Sequence, residues 1–115
     1  MQSPWKSSDS GFGGRWDRRF ASDMIGALVL VRINWCDARG EITDHDTFAG
    51  RLVKADPDTG FTLILRGARA GESYILPPAL EAFRPADPGV YLMSDGSVIR
   101  DPEFVSSWDV MRPLQ

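Results

Sequence analysis

The stretch Phe48–Leu65, FAGRLVKADPDTGFTLIL, constrains the fold of this chain more than any other. Before the turn, Phe48, Gly50 and Leu52 alternate with Ala49, Arg51 and Val53. After it, Phe61, Leu63 and Leu65 alternate with Thr62, Ile64 and Arg66. A period of two places each set on one face of an extended strand. Between the runs, DPDTG offers Pro57 to the first central position of a turn and Gly60 for a positive φ. The segment reads as an antiparallel hairpin.

Its surroundings extend the pattern. ALVLVRINW (Ala27–Trp35) is β-branched and apolar, the makings of a first strand. ESYILP (Glu72–Pro77) is a short strand closed by Pro77 and Pro78, and VYLMSDGSVIR (Val90–Arg100) is a hairpin whose Asp95-Gly96 suits a type I′ turn. The polar CDARGEITDHDT (Cys36–Thr47) reads as a long loop or an irregular hairpin. Ahead of the first strand, RWDRRFASDM spaces Trp16, Phe20 and Met24 four residues apart, one stripe of a short amphipathic helix that Gly26 ends. Near the other end, DPEFVSSWDVM reads as one or two helical turns. Asp101 is then the N-cap and Pro102 the first helical residue, with Phe104, Trp108 and Met111 inward. Short strands at regular spacing, with a helix before and a helical turn after, give an all-β class and a small antiparallel SH3-like barrel.

A chain of 115 residues with 43% hydrophobic content supports one core and one domain. Residues 1–14, rich in Ser and Gly with Pro4, read as a flexible tail, and residues 15–115 as the barrel. The net charge is −3, so the chain as a whole offers no basic footprint to a phosphate backbone. The charge is uneven. Residues 1–35 hold five basic and three acidic side chains, whereas residues 36–115 hold eight and thirteen. The single Cys36 excludes an intrachain disulfide and favours a reducing compartment. The start has no continuous apolar stretch, and the longest apolar run, Met24–Val31, is too short to cross a bilayer. A soluble, cytoplasmic protein without membrane attachment is expected.

Gly50, Leu52, Asp56, Gly60 and Leu63 stand at the spacings of a known motif: glycine, any residue, leucine, three residues, aspartate, three residues, asparagine, two residues, leucine. In this the chain resembles the Sm-like family of SH3-like small β-barrels, over roughly Arg15–Ser97. The resemblance implies homo-oligomeric rings of about five to seven subunits, closed by pairing between strand edges. It also implies an RNA pocket, in which a side chain two after the aspartate stacks on a base and the asparagine hydrogen-bonds it. Those places hold Asp58 and Gly60, and the Arg-Gly pair expected in the last hairpin is Asp95-Gly96. A carboxylate cannot stack and glycine has no side-chain donor, so the pocket positions are degenerate and any RNA binding is expected to be weak.

Other clusters invite chemistry. Asp56 and Asp58 with Gly60 resemble the start of a calcium loop, but the glycine comes a residue early and position twelve is Gly67. Asp44, His45 and Asp46, with Cys36, offer metal donors, though neighbouring residues rarely converge on one ion. Cys36 and His45 also have the composition of a nucleophile–base dyad. A solvated loop and a core cysteine account for all four, so no metal, cofactor or enzyme activity is expected. Arg15, Arg18 and Arg19 form a basic cluster on the leading helix, the candidate for nucleic-acid contact. Trp16 and Trp108 fit packing stripes, which leaves Trp5 and Trp35 as interface candidates. The expected function is a non-catalytic scaffold or protein-interaction module. The alternatives are a nucleic-acid binder working through the arginine helix, and a monomeric SH3-like module that reads a peptide.

Overall fold

A computed structural model describes the backbone of residues 5–7 and residues 16–112 in full. Its strands are β1 (Trp5–Ser7), β2 (Leu28–Cys36), β3 (Ile42–Asp56), β4 (Gly60–Leu65), β5 (Ser73–Leu76), β6 (Phe83–Pro85), β7 (Val90–Leu92), β8 (Val98–Arg100) and β9 (Phe104–Met111). One helix, α1 (Arg18–Met24), precedes β2, and short 3₁₀ turns occupy Gly67–Arg69 and Leu80–Ala82. The class is all-β. Among the described residues no helix is long and apolar enough to cross a membrane.

The expected leading helix forms as the stripe requires. The Asp17 carboxylate caps it, accepting from the backbone N–H of Arg19 at 3.0 Å and of Phe20 at 3.1 Å. Ala21 and Met24 are buried, while Trp16 meets Phe61 at 5.4 Å between ring centroids and Phe20 meets Phe104 edge-on at 5.9 Å. Past the helix, the Gly26 N–H donates to Leu52 O and the Leu52 N–H to Ala27 O, which fastens the start of β2 to β3.

The main sheet runs β1-β9-β2-β3-β4-β5, and β6 pairs with the first half of β9 on the side that β1 occupies further along. The pairs β2–β3, β3–β4 and β4–β5 are antiparallel, with the Asp56↔Gly60 register set by the expected DPDTG turn. β2 and β9 pair in parallel, from Val29↔Phe104 to Cys36↔Met111. This corrects one expectation, since the sheet is not purely antiparallel. Among the described residues it is open, with β1 and β5 at its edges, and no closed barrel is seen.

The C-terminal helical turn is also corrected: those residues are β9. Ser106, Trp108 and Val110 alternate inward with a period of two, and Met111 is exposed. Ser106 is fully buried because its hydroxyl accepts the Trp108 indole N–H at 3.2 Å, which lets a polar residue hold a core position. Asp101 caps no helix; at φ +50° its carboxylate accepts the Gly89 N–H. Of the two readings for Cys36–Thr47, the irregular hairpin is the one formed: a tight turn at Asp37–Gly40 joins β2 to β3, the register shifts between Trp35 and Cys36, and Ile42–His45 are exposed. The type I′ turn is not adopted, since among the described residues Asp101 is the only non-glycine one with positive φ and Asp95 therefore lacks it. Of the expected tail, Trp5–Ser7 pairs with Trp108–Val110; its other residues lie outside the described ones.

Two apolar layers sandwich the sheet. On one face Val29, Val31, Ile33, Leu52, Phe61, Leu63, Leu76, Trp108 and Val110 pack beneath α1 and the segment Leu80–Phe83. On the other, Leu28, Leu30 and Ala49 are covered by Met93 and Ile99 of the β7–β8 hairpin. β2 is thus buried on both faces at its start, which is why ALVLV shows no alternation.

Glycine is required where backbones approach closely. A Cβ on Gly50 would stand 2.8 Å from Ile64 O, and one on Gly60, at φ +101°, would collide with Leu76 O. Gly50→Val is expected to destabilise by roughly 1–3 kcal/mol, and Gly60→Val by more because strain adds to the clash. Urea midpoints equal to wild type would contradict this packing.

Candidate functional site: the outer face of β3, β2 and β9

The expected pocket positions are not brought together. Asp56 accepts the backbone N–H groups of Asp58 at 2.7 Å and Thr59 at 3.0 Å, closing the β3–β4 turn. Those bonds, Thr59 first and then Asp58, hold its carboxyl below the usual range. Asp58 is exposed and Gly60 opens β4. Asp95 and Gly96 lie beyond the far end of β4, where Asp95 accepts the Ala68 N–H at 2.9 Å and the Ser97 N–H at 2.8 Å, together with the Ser97 hydroxyl. Five strand steps of about 3.3 Å put roughly 17 Å between the two turns. Each carboxylate serves its own turn.

The other candidates separate as well. Arg18 and Arg19 are exposed on α1, and Arg15 lies outside the described residues, as does the side chain of Trp5. Trp35 is half-buried against the core, and the Arg112 guanidinium covers its ring at 5.2 Å while pairing with Asp44 at 3.2 Å. The Cys36 thiol is buried and donates to Asn34 O at 3.7 Å. Asp44, His45 and Asp46 are consecutive on β3, so His45 faces opposite to the two carboxylates. Among the described residues no three His, Cys, Asp or Glu side chains are placed to share a metal ion.

The strand registers assemble a cluster that the sequence does not show. Asn34 on β2 stands between His45 on β3 and Asp109 on β9. The Asn34 amide nitrogen donates to Asp109 Oδ1 at 3.0 Å, and Asn34 Oδ1 lies 2.9 Å from His45 Nδ1. A carboxylate only accepts, so it fixes which end of the amide faces it. The amide oxygen must then face the imidazole, and Nδ1 must carry the proton. The Nε2 lone pair is left pointing to solvent from an exposed side chain.

The next row holds Thr47, Arg32 and Ser107, and the one after it Ala49, Leu30 and Val105. That last row is apolar and lies at the margin of the β7–β8 hairpin. Ser107 is two strands from His45, at about 4.8 Å per strand, and one row back, so it cannot hydrogen-bond Nε2 as a nucleophile would. The face sets aligned donors and acceptors around the guanidinium of Arg32. Asn34 and Asp109 are 75 positions apart in the chain, and the β2–β9 register joins them as the β2–β3 register brings in His45. No family model, curated protein or solved structure matches this chain.

Two measurements check this geometry. Ring ¹⁵N shifts of neutral His45 should report the Nδ1–H form, and Asp109→Ala should release it; an Nε2–H form in the wild type would contradict the relay. Asp95 is held down to about 2 by the Ser97 hydroxyl first and the Ala68 N–H next. A depressed carboxyl stabilises the fold above its ordinary value of 3.8 and loses that contribution as pH falls toward about 2. Wild type should therefore exceed Asp95→Asn in urea midpoint at pH 6, and the gap should close on acidification through that window. A gap independent of pH would contradict it.

Proposed function

We propose that this chain is a non-catalytic β-sheet interaction module that assembles with copies of itself through the free edge of β5. The observation that carries the reading is the state of that edge. Among the described residues β5 pairs with β4 on one side only, its sequence SYIL contains neither Pro nor Lys, and Ile75 is 59% exposed. Natural edge strands that remain single are usually blunted by charge, proline or a bulge, and an unblunted one invites a further strand.

The resemblance to the Sm-like family supports the same reading, since it implies closure by edge pairing between subunits. It rests on the Gly50, Leu52, Asp56, Gly60 and Leu63 spacing and on the helix before the first long strand. The parallel β2–β9 pair is a departure from an antiparallel barrel. With Asp56 and Asp58 at one turn and Asp95 at another, no RNA pocket enters the proposal.

Light scattering tests it. The native mass is expected to be an integer multiple of 12.8 kDa, and Ile75→Lys should shift it to the single-chain value without altering circular dichroism. A monomer across a wide concentration range would contradict self-assembly and favour the monomeric peptide-reading module.

A further inference from the structure

We propose that the cleft beside Arg32 binds a small amphipathic anion, a compact apolar body carrying one carboxylate or phosphate group. The cleft, of about 290 Å³, opens between the outer face of the sheet and the chain leading from β6 to β7. Its apolar floor is Leu30 and Val105, which are paired across the β2–β9 ladder. One wall is the Pro85–Ala86 segment. The other is Tyr91, whose hydroxyl donates to the Asp87 carbonyl at 2.7 Å and so fixes the ring in place.

Arg32 stands at the end of this floor, where the apolar row gives way to the polar one. It is exposed, its cross-strand neighbours Thr47 and Ser107 are neutral, and among the described residues it makes no ion pair. Arg84, held by an interaction within the chain, lines the cleft as well, and Asp87 is the one carboxylate there. The lining therefore carries a net positive charge. A guanidinium presents a planar fork suited to carboxylate or phosphate, and an apolar floor beside it lowers the local dielectric and strengthens that pairing. The Thr47 and Ser107 hydroxyls flank Arg32 in the same row and can donate to the same head group. The volume matches a body of one or two rings.

Two other cavities are lined differently. The cleft between α1 and Pro57 has Arg18 as its one charged lining residue, and the small crevice near Phe48 sets Asp46 and Asp95 against Arg66 and Arg69.

Isothermal titration of the full chain with 1-naphthyl phosphate, 1-naphthoate, 1-naphthol and inorganic phosphate tests the proposal. At least one naphthyl anion should bind saturably, about tenfold or more tighter than 1-naphthol and inorganic phosphate, and the tighter of the two identifies the head group. Arg32→Met, which keeps the stem and removes the charge, should weaken that binding about tenfold or more and leave 1-naphthol unchanged; Arg66→Met should change nothing. An unchanged urea midpoint will show that Arg32→Met is folded. No saturation by about 10 mM, inorganic phosphate binding as tightly as 1-naphthyl phosphate, or full binding by Arg32→Met would overturn it.

Discussion

The parallel pairing of β9 with β2 is the constraint on which the rest of the structure depends. It lays the last strand against the first long one, so the residues between them must run out along β3, β4 and β5 and return. The return segment, Leu80–Phe83, closes over the inner face, and β6 then meets the free side of β9. The β7–β8 hairpin follows immediately and lies on the outer face, over Leu28, Leu30 and Ala49. The start of β2 is thereby enclosed on both faces, the strand is paired on both edges, and Trp108 of β9 is among the largest fully buried side chains. Pairing on both sides of β9 leaves β5 with a free edge at the far end of the sheet.

The parts of this fold legible in the sequence are those with local causes. The DPDTG turn, the Phe61–Leu65 alternation and the Trp16–Phe20–Met24 stripe each specify a strand, turn or helix within a few residues. β9 was concealed by two features. Phe104, Trp108 and Met111 stand at helical spacing, and the strand alternation runs through Ser106, whose polarity hides an inward position. The burial of Ser106 depends on the Trp108 N–H, a side-chain bond that spacing alone does not reveal. The first part of β3 read as a loop or an irregular hairpin because its residues face solvent, where polarity does not distinguish strand from loop.

The candidate site was legible only in fragments. His45 stood out as a titratable residue between two aspartates, but strand geometry sends those carboxylates to the opposite face. Its actual partners, Asn34 and Asp109, come from two other strands. Arg32 gave no signal as a single charge in an apolar strand; its setting beside Leu30 and Val105 exists only once β9 is in register. Asp95 and Gly96 stand where the resemblance places an Arg-Gly pair, and a turn glycine after an aspartate suits many hairpins. The bonds from Ala68 and Ser97 instead make Asp95 a clasp between the hairpin and the turn after β4.

Native-state amide hydrogen exchange tests the central claim most directly. If β9 is the middle of the sheet, its hydrogen-bonded amides from Ser106 to Val110 should exchange as slowly as those of Val29–Ile33 in β2 and be released together with them in the same opening. Rapid exchange throughout β9, while β2 and β3 remain protected, would show the C-terminal segment to be an appendage, and the parallel pairing, the relay and the Arg32 cleft would fall with it.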